Sequence, residues 1–262
     1  MKYKRILLKI SGEIFGGEKQ TGLDFVSIKK LAQYLCKLKD KTKVELAIVI
    51  GAGNLFRGRN VSDTSFDRAS ADYIGMLGTV MNALALQGEL ETLGQTSRVM
   101  SALKVDQVCE PFIRRRAIHH LQKGYIVILA GGTGSPFFTT DSAAALKACE
   151  LNCDVLLKGS NVDGIYDADP RVKSTAKMYQ KISYQHALEQ GLTVMDNTAF
   201  TLCQREKIPI IVFNLDNLEN IAKILQGKAV GTLVTAWNPR HWQALLLRVW
   251  YAGTRDFYFS HR

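Results

Sequence analysis

Short runs of Ile, Val and Leu alternate along this chain with longer amphipathic segments. The apolar runs predict strands near residues 5–10, 44–50, 125–130, 155–158, 210–214 and 231–235. Helices are predicted over 68–94, 112–123, 141–151, 184–190, 195–206 and 217–226. An earlier helix is expected to begin at Ser27, a candidate N-cap, because the apolar residues of 28–38 recur with a 3.6-residue period.

This alternation predicts an α/β fold with a mainly parallel sheet sandwiched by helices. In such folds, ligands bind in the loops that leave the carboxyl ends of the strands. No internal repeat or low-complexity linker interrupts residues 1–236, so this range is expected to form a single domain. Functional residues should therefore be sought in the loops that follow the strands.

The composition changes abruptly after residue 236. All three tryptophans of the chain lie in the range 237–262, together with four arginines: Trp237, Arg240, Trp242, Arg248, Trp250, Arg255 and Arg262. This composition fits either an amphipathic interaction segment or a poorly ordered extension, and we favour the extension.

The overall composition excludes several classes of protein. Hydrophobic residues make up 47% of the chain and charged residues 22%, as in soluble globular proteins. The apolar runs are far shorter than the roughly 20 residues that span a bilayer, and no signal-peptide pattern begins the sequence. The five cysteines contain no CxxC pair and suggest neither a disulfide framework nor a zinc site. We expect a cytoplasmic protein without a membrane partner.

A net charge of +10 would attract anions of any kind, including nucleotides and nucleic acids. The tightest basic cluster is the run 114–116, and no aromatic residues are interleaved with it. A solvated helix surface explains this run better than an RNA-binding face. Nucleic acid is therefore not expected as the primary ligand.

Three glycine-rich loops follow three of the predicted strands, at residues 9–12, 51–58 and 131–142. Their backbone amides can cradle an anion. Lys9 and Arg57 add positive charge, and an arginine can grip phosphate through two parallel hydrogen bonds. Asp141 either caps the following helix or orients lysines around a transferred phosphoryl group. None of these loops has the P-loop pattern GxxxxGK[ST], so the phosphate chemistry would belong to another fold.

Six segments occur in order along the chain: KISG, VIGAGNLFRG, DYIGMLGTVMNALA, GGTGSPFFTTDSAA, LLKGSNVDGIYDADPR and VMDNTAFTLC. Together they resemble the UMP kinase branch of the amino-acid-kinase family, over about residues 3–235. The resemblance implies a carbamate-kinase-like fold that receives UMP mainly in its N-terminal part and magnesium-ATP mainly in its C-terminal part. It also implies transfer of the ATP γ-phosphate to UMP in pyrimidine nucleotide biosynthesis. Mg²⁺ is expected to bind together with ATP, and no protein side chain is assigned as its ligand.

The same resemblance implies roles for individual residues. The expected catalytic residues are Lys9, Arg57 and Asp141. The expected ATP-binding residues are Lys9, Ile10, Ser11, Gly12, Gly53, Arg57, Ser160, Asn161, Tyr166 and Asp169. The expected UMP-binding residues are Ala52, Asp72, Thr133, Gly134, Ser135, Pro136, Phe137, Phe138, Thr139 and Thr140. Ala52 stands where the family usually has glycine, which puts a methyl group where the backbone approaches UMP.

The family typically forms hexamers, and many members are activated by GTP and inhibited by UTP, so a homohexamer with these two effectors is the expectation here. Two alternatives remain. A relative that phosphorylates a carboxylate or carbamate would share the lysine and aspartate elements, whereas Asp72 with GTGSPFFTT favours a nucleotide acceptor. A nucleic-acid-binding protein without catalysis would explain the net charge and the arginine-rich tail.

Overall fold

The computed structural model describes residues 2–56, 66–170, 172–173, 175–192 and 195–236. The strands are β1 Arg5–Ile10, β2 Glu45–Ile50, β3 Ser97–Ser101, β4 Glu110–Pro111, β5 Ile126–Ala130, β6 Val155–Ser160, β7 Ile165–Tyr166, β8 Met178–Tyr179, β9 Lys181–Ser183, β10 Ile210–Asn214 and β11 Thr232–Thr235. Nine of them form one sheet in the order β4-β3-β5-β2-β1-β6-β10-β11-β9, and β7 and β8 form a separate antiparallel pair. Within the large sheet, the pairing of β10 with β11 is antiparallel and the other pairings are parallel.

Helices cover both faces of this sheet. They are α1 Phe25–Thr42, α2 Arg68–Thr92, α3 Arg114–Gln122, α4 Thr140–Glu150, α5 Tyr184–Glu189, α6 Asn197–Arg205 and α7 Glu219–Leu225, and a 3-10 segment, Gly12–Lys19, precedes α1. Along β1, Ile6 and Leu8 belong to the core cluster that also contains residues of α1, α2 and α7. Leu7 belongs to the opposite cluster, with residues of α3 to α6. This period of two places successive side chains on opposite faces, so the predicted α/β sandwich is confirmed.

The strand β1 lies at the centre of the sheet, between β2 and β6. Lys9, the penultimate residue of β1, is in register with Val49 of β2 and with Lys158 of β6. Because these three strands are parallel, the loops that follow them emerge at the same edge. The pairing of β2 with β5 brings the loop that follows β5 to this edge as well.

The prediction that Ser27 caps the first helix is wrong. The N-cap is Asp24, three residues earlier, and its carboxylate accepts a hydrogen bond from Val26 N at 3.0 Å. Ser27 Oγ donates a second bond to the same carboxylate at 3.0 Å. A carboxylate that accepts two bonds caps this helix better than the hydroxyl inside its first turn. The other predicted helices are confirmed, with ends shifted by at most two residues.

Several short strands carry no recognisable sequence pattern. In β3, Ser97 and Arg98 break the apolar run, although the strand pairs with β5 over five residues. The strands β4, β7 and β8 have two residues each, and β9 has three. Such elements exist because a neighbouring strand offers hydrogen bonds, and a local apolar pattern does not reveal them.

Two further features bear on the expectations from composition. The five cysteines are free thiols, and Cys153 and Cys203 are buried. Burial raises the pKa of the Cys153 thiol to about 12, so it is not a reactive nucleophile at neutral pH. Among the described residues, no helix combines the length and the apolar character needed to cross a membrane.

Candidate functional site

The three glycine-rich loops meet at the carboxyl edge of the sheet. Gly51 N donates to Ile10 O at 2.9 Å, which ties the second loop to the end of β1. Gly131 N donates at 2.8 Å to the hydroxyl of Thr79 on α2, which holds the third loop. Gly12 approaches the second loop so closely that a Cβ there would lie 2.7 Å from both Gly51 O and Gly53 N. Only glycine therefore fits at this position.

A buried cluster of three charged side chains lies where these loops meet. Lys9 Nζ is 3.0 Å from one carboxylate oxygen of Asp141, and Lys158 Nζ is 2.5 Å from the other. The three side chains are between 11% and 15% exposed, so water screens their charges little. We call Lys9, Asp141 and Lys158 the charge cluster.

The structure excludes one of the two roles considered for Asp141, that of the helix cap. The N-cap of α4 is Thr139, whose hydroxyl accepts bonds from Asp141 N at 3.0 Å and Ser142 N at 3.2 Å. The Asp141 side chain is therefore not the cap. It is turned instead toward the two lysines.

The pKa values in the charge cluster follow from burial and from mutual attraction. Burial raises the pKa of Asp141, but Lys9 and Lys158 together lower it more, so its pKa lies below the ordinary value. Burial lowers the pKa of Lys158, and the attraction of Asp141 offsets only part of this effect. Asp141 is thus a fixed carboxylate at neutral pH that orients two ammonium groups.

Lys158 is a site residue that the sequence reasoning missed, and a sequence feature could have revealed it. Residues 156–160 read LLKGS, and residues 7–11 read LLKIS. The two runs lie on adjacent parallel strands with their lysines in register. The match between the runs therefore reflects two lysines that reach one carboxylate.

Asp196 was also missed as a site residue. Its carboxylate caps α6 by accepting from Ala199 N at 2.8 Å. It also accepts from Ser142 Oγ at 2.9 Å and from Thr139 Oγ1. Asp196 therefore fixes the start of α4, the helix that carries Asp141. Its negative charge also acts on Lys158.

A first cavity, of about 470 Å³, opens between α2 and the second and third loops, and we call it the α2 cavity. Six of the expected UMP-binding residues line it: Ala52, Asp72, Ser135, Phe138, Thr139 and Thr140. Gly53, which was expected on the ATP side, lines this cavity too. The helix α2 also contributes Met76 and Thr79 to the lining, and neither was among the expected UMP-binding residues.

The other expected UMP-binding residues lie in the same loop but outside the cavity lining: Thr133, Gly134, Pro136 and Phe137. The loop is held to α2 because Phe137 N donates to Asp72 Oδ2 at 2.7 Å. Phe137 has a positive φ of 72°, and the guanidinium of Arg68 lies 5.3 Å from its ring centroid. One oxygen of Asp72 is thus engaged by the loop.

The methyl group of Ala52 packs against a glycine on α2. Ala52 is 8% exposed, and a Cβ at Gly78 would lie only 2.9 Å from the Ala52 Cβ. Gly78 therefore provides the space that this alanine needs.

A second cavity, of about 240 Å³, lies beside the end of β6, and we call it the β6 cavity. Three of the expected ATP-binding residues line it: Ser11, Ser160 and Asn161. Ile10 is fully buried, and Gly12 lies against the second loop. Tyr166 pairs with Met178 in the β7–β8 pair, and Asp169 follows in a turn; neither lines this cavity. Arg57 lies outside the described residues.

One side chain lines both cavities. Glu13, in the first turn of the 3-10 segment, borders the α2 cavity and the β6 cavity. Thr140, next to Asp141, lines the first cavity, and Gly159, next to Lys158, lines the second. The residues of the charge cluster line neither cavity themselves, but the chain neighbours of Asp141 and Lys158 do.

A mainly parallel sheet covered by helices, with glycine-rich loops and a buried Lys-Asp-Lys cluster but without the P-loop sequence, is typical of a phosphotransferase site. The amino acid kinase family matches residues 4–214, and the chain belongs to this family. The chain is 51% identical to the uridylate kinase of Rickettsia bellii (strain RML369-C) over 234 residues, which are 89% of this chain and 98% of the relative.

Solved structures agree with this assignment. The UMP kinase of Bacillus anthracis superposes with a TM-score of 0.87 at 38% identity, covering 91% of this chain and 98% of the other. The UMP kinase of Ureaplasma parvum gives a TM-score of 0.83 at 38% identity, covering 90% and 100%. The predicted family is confirmed.

Proposed function

We propose that this chain transfers the γ-phosphate of ATP to UMP, giving UDP and ADP in pyrimidine nucleotide biosynthesis. The observation that carries the proposal is the pair of cavities whose linings include the chain neighbours of Asp141 and Lys158, with Glu13 in the lining of both. Relatives named uridylate kinase or UMP kinase match the chain over most of its length and support the choice of acceptor.

In this proposal the α2 cavity receives UMP. Asp72 lines the cavity and is a hydrogen-bond acceptor, which suits the hydroxyl groups of a ribose. At the start of α4, the hydroxyl group of Thr140 would face the UMP phosphate, whereas the Thr139 hydroxyl is already bonded to Asp196 and to the first amides of the helix. Residues 133–138 would then enclose the uracil base, with Ala52 beneath it.

The β6 cavity would hold the adenosine part of ATP. Its lining includes Ser160 and Asn161 after β6, and Ser11 after β1. The backbone between Lys9 and Gly12 would cradle the ATP phosphates. We assign Tyr166 to a contact with the adenine face and Asp169 to a hydrogen-bond acceptor role, although neither lines the cavity itself. Ile10 completes the proposed ATP side, and Gly53, which lines the α2 cavity, and Arg57 are assigned to the place where ATP meets UMP.

The charge cluster would supply the electrostatics of transfer. In phosphoryl transfer, charge builds on the equatorial oxygens of the transferred group, so catalysis consists mainly of in-line positioning and stabilisation by cations. Lys9 and Lys158 provide such cations here, and Arg57 would add a third. Asp141 would orient the lysines without acting as a base, because the attacking UMP phosphate is already anionic.

Magnesium with ATP is part of the proposal. Mg²⁺ keeps several water ligands and is usually bound through substrate phosphates with one or two carboxylates. Glu13 fits this requirement, because it is a carboxylate that lines both cavities and can accept a hydrogen bond from a metal-bound water. The ion would neutralise charge on the ATP phosphates.

The test is ADP release by the purified protein with magnesium-ATP and one acceptor at a time. UMP, CMP, dUMP, glutamate, aspartate and carbamate are compared, in the full chain and in a 1–236 form that tests the proposed single domain. We expect turnover with UMP far above that with the other acceptors. Turnover with glutamate, aspartate or carbamate instead would replace the proposal with a carboxylate or carbamate kinase. No turnover with any acceptor would refute the proposal.

We further propose a cytoplasmic homohexamer that is activated by GTP and inhibited by UTP, as the family resemblance implies. One face of α2 supports assembly, because Tyr73, Ile74, Leu77 and Met81 are between 40% and 52% exposed on it. Light scattering after size-exclusion chromatography would measure the subunit number. Titration of GTP and UTP into the assay would test regulation, and unchanged rates would refute it.

A further inference from the structure

Two asparagine side chains pair with each other in the interior of the protein, below the floor of the site. Asn82 on α2 is fully buried, and Asn54 in the loop after β2 is 4% exposed. Asn54 Nδ2 donates to Asn82 Oδ1 at 3.0 Å, and Asn82 Nδ2 donates to Asn54 Oδ1 at 2.8 Å. The two amides therefore form a closed ring of two hydrogen bonds.

The remaining N–H groups of this pair bind two main-chain carbonyl groups. Asn54 Nδ2 also donates to Gly22 O at 2.7 Å, and Asn82 Nδ2 also donates to Gly51 O at 2.8 Å. The main chain adds a further bond, from Gly22 N to Asn54 O at 2.9 Å. Each amide nitrogen thus has two acceptors, which satisfies both of its donors.

These bonds join three segments that belong to different parts of the site. The loop after β2 contributes Ala52 and Gly53 to the α2 cavity. The chain from Gly12 to Gly22 contributes residues of the 3-10 segment to the β6 cavity. Gly12 itself packs against the pair, since a Cβ there would lie 2.6 Å from Asn54 Oδ1. Neither asparagine lines the α2 cavity or the β6 cavity, so their influence on ligands in these cavities is indirect.

The chemistry of the pair favours a role in geometry over a role in packing. Burying an amide without partners costs roughly 1–3 kcal/mol, whereas aliphatic side chains would fill the same space at no such cost. Aliphatic side chains could not hold Gly22 O and Gly51 O at fixed positions. Directional bonds to both carbonyls allow one relative placement of the segments that carry them.

We propose that the Asn54–Asn82 amide pair is a positioning device that holds the donor-side segment 12–22 against the acceptor-side loop 51–54 at the separation that phosphoryl transfer requires. This inference rests on the proposed function. A misplacement of about 1 Å between reacting groups can cost on the order of a hundredfold in rate. The pair would therefore affect turnover more than the binding of either nucleotide.

The test is Asn82→Leu, which keeps the branching of the side chain and removes its hydrogen bonds. We expect kcat to fall by about 10- to 100-fold, with the KM values for UMP and ATP changed by less than about threefold. The control is Thr42→Val, which removes a different buried polar group, a hydroxyl that donates to Leu38 O at 2.6 Å at the end of α1. The control should lower the melting temperature with kcat unchanged.

Other outcomes would overturn the inference. A lower melting temperature with normal kcat, measured well below that temperature, would show that the pair only stabilises the fold. A raised KM for one nucleotide with normal kcat would show an effect on binding alone. If Asn82→Leu does not fold, Asn54→Ser and Asn82→Ser carry the same test with a smaller side chain that cannot overpack the interior. Absence of turnover in the unaltered protein would count against the proposed function instead.

Discussion

The ends of β1 and β6 have nearly the same sequence and lead into different structures. Both strands are buried, and both place a lysine at the same register beside Asp141. After β1, the chain turns inward and Gly12 presses against the backbone of the second loop. After β6, the chain continues through Asn161, in the lining of the β6 cavity, to the β7–β8 pair. The lysines thus have equivalent positions, whereas the loops behind them do not.

This comparison separates two requirements of the site. The charge cluster depends on strand register, which sets the positions of Lys9 and Lys158 relative to Asp141. The cavities depend on how closely each loop approaches its neighbours. Substitutions of the two lysines should therefore have similar effects, and substitutions in the two loops should have different effects.

The largest effect is expected from the lysines themselves. Lys9→Ala and Lys158→Ala should each lower kcat by on the order of a hundredfold or more, because each removes a cation from a buried site. The double variant should lower kcat by much less than the product of the two single losses, because the lysines act as a unit with Asp141. Steady-state kinetics measure this, with Lys43→Ala as a surface control.

A large difference in kcat between Lys9→Ala and Lys158→Ala would disprove the idea that the two lysines have equivalent roles. Near-normal turnover of Lys9→Ala would refute its assigned catalytic role. Near-normal turnover of Lys158→Ala would leave Lys158 as a structural partner of Asp141. The control, Lys43, is 78% exposed, and its ammonium lies 3.7 Å from the exposed carboxylate of Asp40, so its loss should leave kcat unchanged.

The next effect concerns pH and Asp141. The pKa of Lys158 lies below the ordinary value of 10.5, so its charge is lost at a lower pH than that of an exposed lysine. Asp141 raises this pKa, and Asp141→Asn should therefore lower it further. If transfer needs the Lys158 cation, the alkaline limb of kcat should move to lower pH in Asp141→Asn. Profiles of kcat between about pH 6 and 10 measure the shift; an unmoved limb would exclude Lys158 as its source.

Much of the fold and part of the site could be predicted from the sequence, because the underlying signals are local. Continuous apolar runs revealed the central strands, and glycine-rich loops after them revealed Lys9 and Asp141. Lys158 was missed because its role depends on the pairing of β6 with β1. Asn54 and Asn82 were missed for the same reason, since their bond joins a loop and a helix distant in sequence. The strand β3 depends on β5 in the same way.

A smaller effect is expected from substitution of the glycine beside each lysine-bearing strand end, Gly12 after β1 and Gly159 in β6. A Cβ at Gly12 would lie 2.6 Å from Asn54 Oδ1 and 2.7 Å from two main-chain atoms, which cannot move without shifting the second loop. A Cβ at Gly159 would meet the side chain of Leu215, with the closest atom, Cδ2, at 2.7 Å. A rotamer change can move this Cδ2 away, and the Leu215 Cβ, at 3.1 Å, would have to shift by only a few tenths of an ångström. Gly12→Ala should therefore lower the free energy of unfolding more than Gly159→Ala does.

The expected loss of stability for Gly12→Ala is about 1–3 kcal/mol, as for other overpacked positions, with a fall in kcat of about tenfold. For Gly159→Ala we expect less than about 1 kcal/mol and a change mainly in the KM for ATP, because Gly159 lines the β6 cavity. Urea unfolding and steady-state kinetics measure both. Equal losses for the two variants would contradict the asymmetry of the loops.

The smallest effect should come from the two serines that follow the lysines. Ser11 Oγ caps the 3-10 segment by accepting from Glu13 N at 3.4 Å, a long bond, so Ser11→Ala should cost at most about 0.5–1 kcal/mol. Ser160 accepts a bond through its carbonyl, from Leu215 N at 2.9 Å, and alanine would preserve this contact. Ser160→Ala should leave stability within about 0.5 kcal/mol of the parent.

The two serine variants should differ in their affinity for ATP only if the two hydroxyl groups contact the nucleotide differently. Both residues line the β6 cavity, so isothermal titration with a non-hydrolysable ATP analogue can compare them directly. A hydroxyl that donates to a phosphate oxygen contributes roughly 1.5–3 kcal/mol, or at least a tenfold change in Kd. Loss of affinity in Ser11→Ala alone would place the ATP phosphates at the end of β1 and the nucleoside at the end of β6. Equal losses in both variants would show that both strand ends contact the phosphates, just as the lysines of both strands contact Asp141.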